Sequence, residues 1–282
     1  VVGIALAACG PFATGGPGCQ PVGASARLPE ALVESSGVAV SLRHPGVYWT
    51  HGDGSSDLFA VDRRGAVLAR FPVRPATRDW EDLALSACGD GGACLYLADL
   101  GDNYEERPFA RILRVAEPDP SASGDPLRAA VFPVRFPDGA RDVEALLVLP
   151  GERVLVVTKG RNHPVTVYRY PGPLRPDTVV LREVQRLTDE PPSLPRRVTG
   201  GSVSPGGGLA VLRTYESLRF YDVRSDTLVP ARGGLVNLRP LAEAQGEGVG
   251  IGRDGEVVLT SEGGPLGGPG SMAWVRCRLG GL

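Results

Sequence analysis

The chain has 282 residues, 42% of them hydrophobic and 6% aromatic, enough to bury one large core or two small ones. Its 39 Gly and 26 Pro suit a loop-rich all-β protein better than a helical one. Thirty basic against 32 acidic residues leave a net charge of −2, which excludes an electrostatic nucleic-acid binder, and no apolar run reaches the ~20 residues of a membrane span.

The first ten residues, Val1-Val2-Gly3-Ile4-Ala5-Leu6-Ala7-Ala8-Cys9-Gly10, read as the tail of an apolar signal region. Leu6-Ala7-Ala8-Cys9 resembles a bacterial lipobox, in which small residues precede a Cys that becomes the lipidated N-terminus. On this reading residues 1–8 are a signal-peptide remnant, 9–18 a flexible Gly/Pro-rich tether, and 19–282 the folded domain, held at a membrane through Cys9.

Setting Cys9 aside leaves Cys19, Cys88, Cys94 and Cys277, an even number, as expected outside the reducing cytosol. Cys88 and Cys94 flank the turn sequence Gly89-Asp90-Gly91-Gly92-Ala93, so a disulfide across a hairpin is natural there. Cys19 and Cys277 then pair near the chain ends. A zinc site at 88 and 94 lacks a neighbouring His or third Cys.

Along the chain, short β-rich runs alternate with Gly, Pro, Asp and Asn, and sustained helical periodicity is missing. The runs fall into repeated groups. The openers are Glu34–Val40, Trp80–Leu85, Asp142–Val148, Thr199–Pro205 and Gly246–Ile251. Each is followed by a run ending in polar residues: Val47–Asp53, Leu95–Asn103, Val154–Gly160, Leu209–Tyr215 and Val257–Glu262. Third runs follow at 58–62, 112–115, 165–169, 218–222 and 272–276, and a more variable fourth run closes the first four groups.

Units of about four antiparallel strands repeated along the chain predict a single all-β propeller, five-bladed, with a six-bladed ring, a β-sandwich or two small β domains as the alternatives. The fifth unit lacks its outer strand, and Cys19–Leu28 is placed to supply it. That closure brings Cys19 beside Cys277, so closure and disulfide predict each other.

In a propeller the first strand of each blade lines the central channel, so the five openers converge on one mouth. Glu34, Glu81, Glu144 and Glu247 occupy matching places, with Thr199 and Ser202 in the fourth blade. The ends of the second strands add His51, Asp53, Asp99, Asp102, Asn103, Lys159, Arg213, Tyr215 and Glu262. Carboxylates about 7 Å apart repel by about 2–2.5 kcal/mol per pair at an effective dielectric of ~20. Protons, basic partners or a bound cation must relieve this. Hard oxygen donors suit a divalent cation, Ca²⁺ before Mg²⁺, over zinc. Lys159, the sole Lys, and Arg213 are candidate counter-charges. His51 is the candidate general base; His44 and His163 each precede Pro in loops. The opposing reading is that these polar residues only bind blade to blade. The chain has no Gly-x-Ser-x-Gly elbow, and Gly200-Gly201-Ser202 and Gly206-Gly207-Gly208 flank a strand as turns, not phosphate loops.

Trp80-Glu81-Asp82-Leu83-Ala84, Leu97-Ala98-Asp99-Leu100-Gly101-Asp102-Asn103, Glu144-Ala145-Leu146-Leu147, Thr158-Lys159, Thr199-Gly200 and Arg213-Thr214-Tyr215 occur in a distinctive order. As a set, spanning about 30–265, they resemble a family of bacterial secreted or lipid-anchored β-propellers. That family is distantly similar to esterase-like phytase and gluconolactonase-type propellers. The resemblance implies a divalent cation held by channel carboxylates and an Asn, with Glu34, Glu81, Glu144, Asp102 and Asn103 as the shell. The sequence departs from the pattern at Ser202, where relatives tend to carry Asp, and at Gly248, where Ala is usual.

Three functions compete. The first is an envelope-anchored binding module, monomeric, whose mouth takes a cation through Glu34, Glu81, Glu144, Glu247, Asp102 and Asn103, and a small molecule or protein through Asp53, Asp99, Lys159, Arg213 and Tyr215. The second is a metal-dependent hydrolase of esters, lactones or phosphoesters with His51 or a channel carboxylate as base. The third is a protein-interaction scaffold using the blade edges.

Overall fold

The structure, a computed structural model, describes residues 18–89 and 91–278. The expected signal remnant, Cys9 and nearly all of the tether lie outside the described residues. Five antiparallel sheets form a five-bladed β-propeller. Blade 1 comprises Ser35–Val40, Tyr48–Gly52, Asp57–Val61 and Val67–Arg74. Blade 2 comprises Asp82–Cys88, Gly92–Asp99, Ala110–Ala116 and Ala130–Arg135. Blade 3 comprises Val143–Leu149, Arg153–Thr158, Thr166–Arg169 and Arg182–Arg186. Blade 4 comprises Val198–Val203, Leu209–Thr214, Ser217–Arg224 and Thr227–Asn237. Blade 5 is built from Gln245–Ile251, Glu256–Glu262 and Ser271–Cys277, and the N-terminal strands Cys19–Pro21 and Ala26–Arg27 pair antiparallel with the last of these.

Cys19 lies directly opposite Cys277 in this ladder, and the two form a disulfide, as do Cys88 and Cys94. Disulfides form and persist in oxidising compartments, which points to a location outside the cytosol. No helix among the described residues is long and apolar enough to cross a membrane. Two features carry no sequence signal: Leu127–Arg128 and Val179–Val180 add short parallel strands to the outer edges of blades 1 and 2.

The core consists of five layers, one between each pair of neighbouring blades. Successive side chains of a strand point to opposite faces, so one strand feeds two layers. In Gly92–Asp99, Leu95 and Leu97 pack towards blade 1, while Cys94, Tyr96 and Ala98 pack towards blade 3. Both faces are buried, which is why these strands read as continuous apolar runs.

Near the axis the inner strands meet backbone to backbone. A Cβ at Gly37 would lie 2.6 Å from Leu83 N, and one at Gly248 would lie 2.1 Å from the Ser36 carbonyl oxygen. A glycine at 248 is therefore a steric requirement here. Asp82 crosses this centre. Its Oδ2 accepts the amide N–H of Leu146 in blade 3 at 2.8 Å and of Gly201 in blade 4 at 3.2 Å, and its Oδ1 accepts that of Leu83 at 2.8 Å.

Candidate functional site

The inner strands of blades 1, 3, 4 and 5 shift register near their starts, between Ser35 and Val38, Val143 and Ala145, Val198 and Gly200, and Gly246 and Val249. Bulges of this kind re-aim side chains. Glu144 and Glu247 sit at two of them, while Glu81 immediately precedes the inner strand of blade 2.

Three acids converge. Carboxylate oxygens of Glu81, Asp142 and Glu144 all lie within 4.8 Å of one another. Asp142 and Glu144 are each 1% exposed. Lys159 Nζ pairs with Glu144 Oε1, and Arg161 Nε stands 3.5 Å from Asp142 Oδ2. Asp142 Oδ1 accepts the amide N–H of Asp102 at 3.0 Å, but Asp142 Oδ2 and Glu144 Oε2 are buried with no hydrogen-bond donor among the described residues. Burial, then the charge of Glu144, push Glu81 well above the usual carboxylate range. Burial raises Glu144 to about 7 against the pull of Lys159. Burial alone would lower Lys159, but Glu144, Glu81 and Asp142 outweigh it and hold the ammonium firmly charged.

A second acidic group adjoins the first. Gln245 Nε2 donates to Glu247 Oε1 at 2.9 Å and to Glu262 Oε2 at 2.5 Å. Glu34 and Asp53 are exposed at the rim. Burial, then hydrogen bonding and repulsion from Glu34, raise Asp53 to about 6. Burial, then the charges of Asp53 and Glu34, raise Glu262 to about 7, and burial with the charge of Glu144 raises Glu247. Tyr215 is raised by burial and by Glu247, so its phenol stays protonated.

The structure therefore gathers Glu81, Glu144, Glu247 and Lys159, with Glu34, Asp53 and Tyr215 around them. It places five expected site residues elsewhere. His51 is not a base at the mouth. It is fully buried and stacked on Trp80 with ring centroids 4.0 Å apart. Its Nε2 accepts the Gly37 N–H at 3.2 Å, its Nδ1 lies 3.4 Å from the Gly52 carbonyl, and burial lowers its pKa to about 3. Asp99 is not a ligand residue. It is saturated by the amides of Arg78 and Asp79 and by the guanidinium groups of Arg107 and Arg111.

Asp102 spends Oδ2 on the Arg107 amide at 2.7 Å, closing its own loop rather than facing a cation. Asn103 is exposed on that loop, and its Oδ1 accepts from Arg161. Arg213 is fully buried between blades 4 and 5, donating to the carbonyls of Gly248 at 2.7 Å and Thr260 at 3.0 Å and to Glu243 at 2.5 Å. The residues that sequence reasoning left without a role are Asp142, Gln245 and Asp82. Asp142 carried no periodic signal: it lies just before the strand Val143–Leu149, and the register shift between Val143 and Ala145 breaks the alternation that would have tied it to Glu144.

No family model matches the sequence, and no curated protein sequence matches it. Among solved structures, the PQQ-bound aldose sugar dehydrogenase of Streptomyces coelicolor is similar at 13% identity, covering 95% of this chain and 100% of that one, with a TM-score of 0.55. A glucose dehydrogenase is similar at 10% identity, covering 91% and 100%, with a TM-score of 0.54. A gluconolactonase of Xanthomonas campestris is matched at 14% identity over 95% and 98%, with a TM-score of 0.47. At these identities the dehydrogenase likenesses establish the propeller fold and nothing finer.

Proposed function

We propose that this is an envelope-anchored β-propeller whose acidic mouth binds a divalent cation, Ca²⁺ before Mg²⁺, together with a small ligand. One observation carries the reading: Glu81, Asp142 and Glu144 bring hard oxygen donors together, and two of those oxygens are buried without a donor. A buried acceptor left unpaired costs about 1–3 kcal/mol, more if charged. Lys159 and Arg161, the latter 3.5 Å from Asp142 Oδ2, are two cations against three carboxylates, so a proton or a further cation must make up the difference. Oxygen-only donors fit Ca²⁺ or Mg²⁺. The lipid anchor at Cys9 belongs to the same proposal. The test is calorimetric and thermal-shift titration with Ca²⁺ and Mg²⁺, beside a Glu81→Gln, Glu144→Gln double variant. A saturable stabilisation that the double variant loses supports the site; no shift with any divalent ion in the wild type defeats it.

A second reading, a metal-dependent hydrolase of esters, lactones or phosphoesters, is favoured by Glu262. Its carboxyl, raised to about 7 at the mouth, can exchange a proton at neutral pH, as general acid–base chemistry requires. A panel of ester, lactone and phosphoester substrates assayed with and without chelator separates the two. Chelator-sensitive turnover that Glu262→Gln abolishes selects the enzyme; absence of turnover across the panel selects the binding module.

A further inference from the structure

A groove of about 570 Å³ opens between blades 3 and 4, apart from the acidic mouth. Its floor is apolar, formed by Val165, Leu187, Pro192, Val198 and Leu212. Two local devices shape it. In blade 4 the third and fourth strands slip register between Arg219 and Tyr221, leaving Ala231–Gly234 without partners in the ladder, and Leu235, opposite Arg219, becomes a wall, 59% exposed. On the blade 3 side Gly160, at φ 81°, brings the turn after Lys159 against Val165 and Pro192; a Cβ there would lie 2.6 Å from Val165 Cγ2.

The charge of the groove is opposite to that of the mouth. Three arginines line it, Arg196, Arg219 and Arg239, against one acid, Glu216. Glu216 is taken by Arg239 at 2.5 Å. Among the described residues Arg196 and Arg219 form no ion pair, although acids are abundant elsewhere on the molecule. Cavities of about 300–1,000 Å³ with apolar linings and a few polar groups are the usual form of small-molecule sites. Guanidinium groups favour carboxylates, which they bind through paired N–H donors.

We infer that this groove is a binding site for a small organic carboxylate with an apolar body, the body lying on the Val165–Leu212 floor and the carboxylate meeting Arg196 and Arg219. The inference is independent of the cation reading, because none of the cluster acids lines the groove.

The probe is naphthalene-2-carboxylate, titrated calorimetrically into the disulfide-intact protein. Binding is expected at one site. Naphthalene-2-carboxamide, of the same shape without the charge, should bind at least tenfold more weakly. An Arg196→Ala, Arg219→Ala double variant should lose at least tenfold in carboxylate affinity. Both positions are exposed, so the fold should tolerate the change, which an unaltered circular dichroism spectrum and Tm would verify. Saturating Ca²⁺ or chelator should leave carboxylate binding unchanged. Equal affinity for acid and amide, undiminished binding in the double variant, loss of binding on adding Ca²⁺ or chelator, or no binding by the wild type at millimolar probe would each overturn the assignment.

Discussion

Replacing Asp82 by Ala should loosen the centre of the ring, and the cost can be worked from its contacts. The carboxylate takes three amide N–H groups, two of them from blades 3 and 4. Without it, the amides of Leu146 and Gly201, both buried, lose their acceptor. At about 1–3 kcal/mol for each orphaned donor, the loss is about 2–6 kcal/mol. For a chain of this size that is a fall of roughly 5–20 °C in Tm. Asp82→Asn should fall between wild type and Ala. Its carbonyl oxygen can still serve Leu146 and Gly201, but its NH₂ then faces the Leu83 N–H. Urea denaturation followed by tryptophan fluorescence, with disulfides intact, reads the difference directly. If Asp82→Ala lies within about 0.5 kcal/mol of wild type, the scale of an ordinary surface substitution, the carboxylate is not bracing three blades and the reasoning fails.

Other outcomes follow from the same contacts. His51 keeps a folded pKa of about 3 against 6.5, so the unfolded state gains a proton first as pH falls below 6.5 and stability is lost on acidification. At pH 5 this amounts to about 2 kcal/mol, so the stability deficit of His51→Phe at pH 7.5 should shrink by that much at pH 5. Cation affinity should be about tenfold weaker at pH 6 than at pH 8, because a Glu144 carboxyl that titrates near 7 holds a competing proton at the lower pH, and calorimetry at the two pH values checks this. Cys277→Ser opens a 258-residue closure and Cys88→Ser a six-residue one. In the chain-entropy model the losses are roughly 5–6 and about 2 kcal/mol, so Cys277→Ser should melt at the lower temperature of the two in thermal denaturation.

The ring and its closure were legible because burial on both faces leaves an unbroken apolar run in each inner and middle strand, and because the cysteines tie the first strand to the last. Glu81 and Glu144 were legible as repeated positions. The five misplaced residues show what position in a repeat does not give, which is direction. His51 stands two residues after Trp49, Asp99 two after Leu97, and Arg213 two after Val211, and each of those apolar residues is buried between blades. With a period of two, the polar residue continues the same row into the buried interior, where protein groups satisfy it. Asp102 and Asn103 were placed by their loop's own hydrogen bonds, to Arg107 and Arg161, which no periodicity encodes. The parallel edge strands were invisible for another reason: two residues each, they belong to connections whose sequence has no pattern to read.

The acid cluster makes a final prediction that separates a cation site from a merely structural one. Within 4.8 Å and at an effective dielectric of ~20, two ionised carboxylates repel by about 3.5 kcal/mol or more. Lys159 offsets part of this, but its closest partner is Glu144, and Glu81 is left facing Glu144 and Asp142. Glu81→Gln keeps the shape of the side chain and removes one charge. In chelator at pH 8, where the carboxyls are driven towards ionisation, the variant should be more stable than wild type by about 1–3 kcal/mol, within the repulsion relieved. With saturating Ca²⁺ the order should reverse, because only the wild type gains RT ln(1 + [L]/Kd) from the bound ion. A pair of melting curves for each protein, one in chelator and one in Ca²⁺, gives the result. A cluster that exists to hold blades together would lose stability in both conditions. Parallel losses would therefore remove the cation from the account of this mouth, and a crossing of the two orders would place it there.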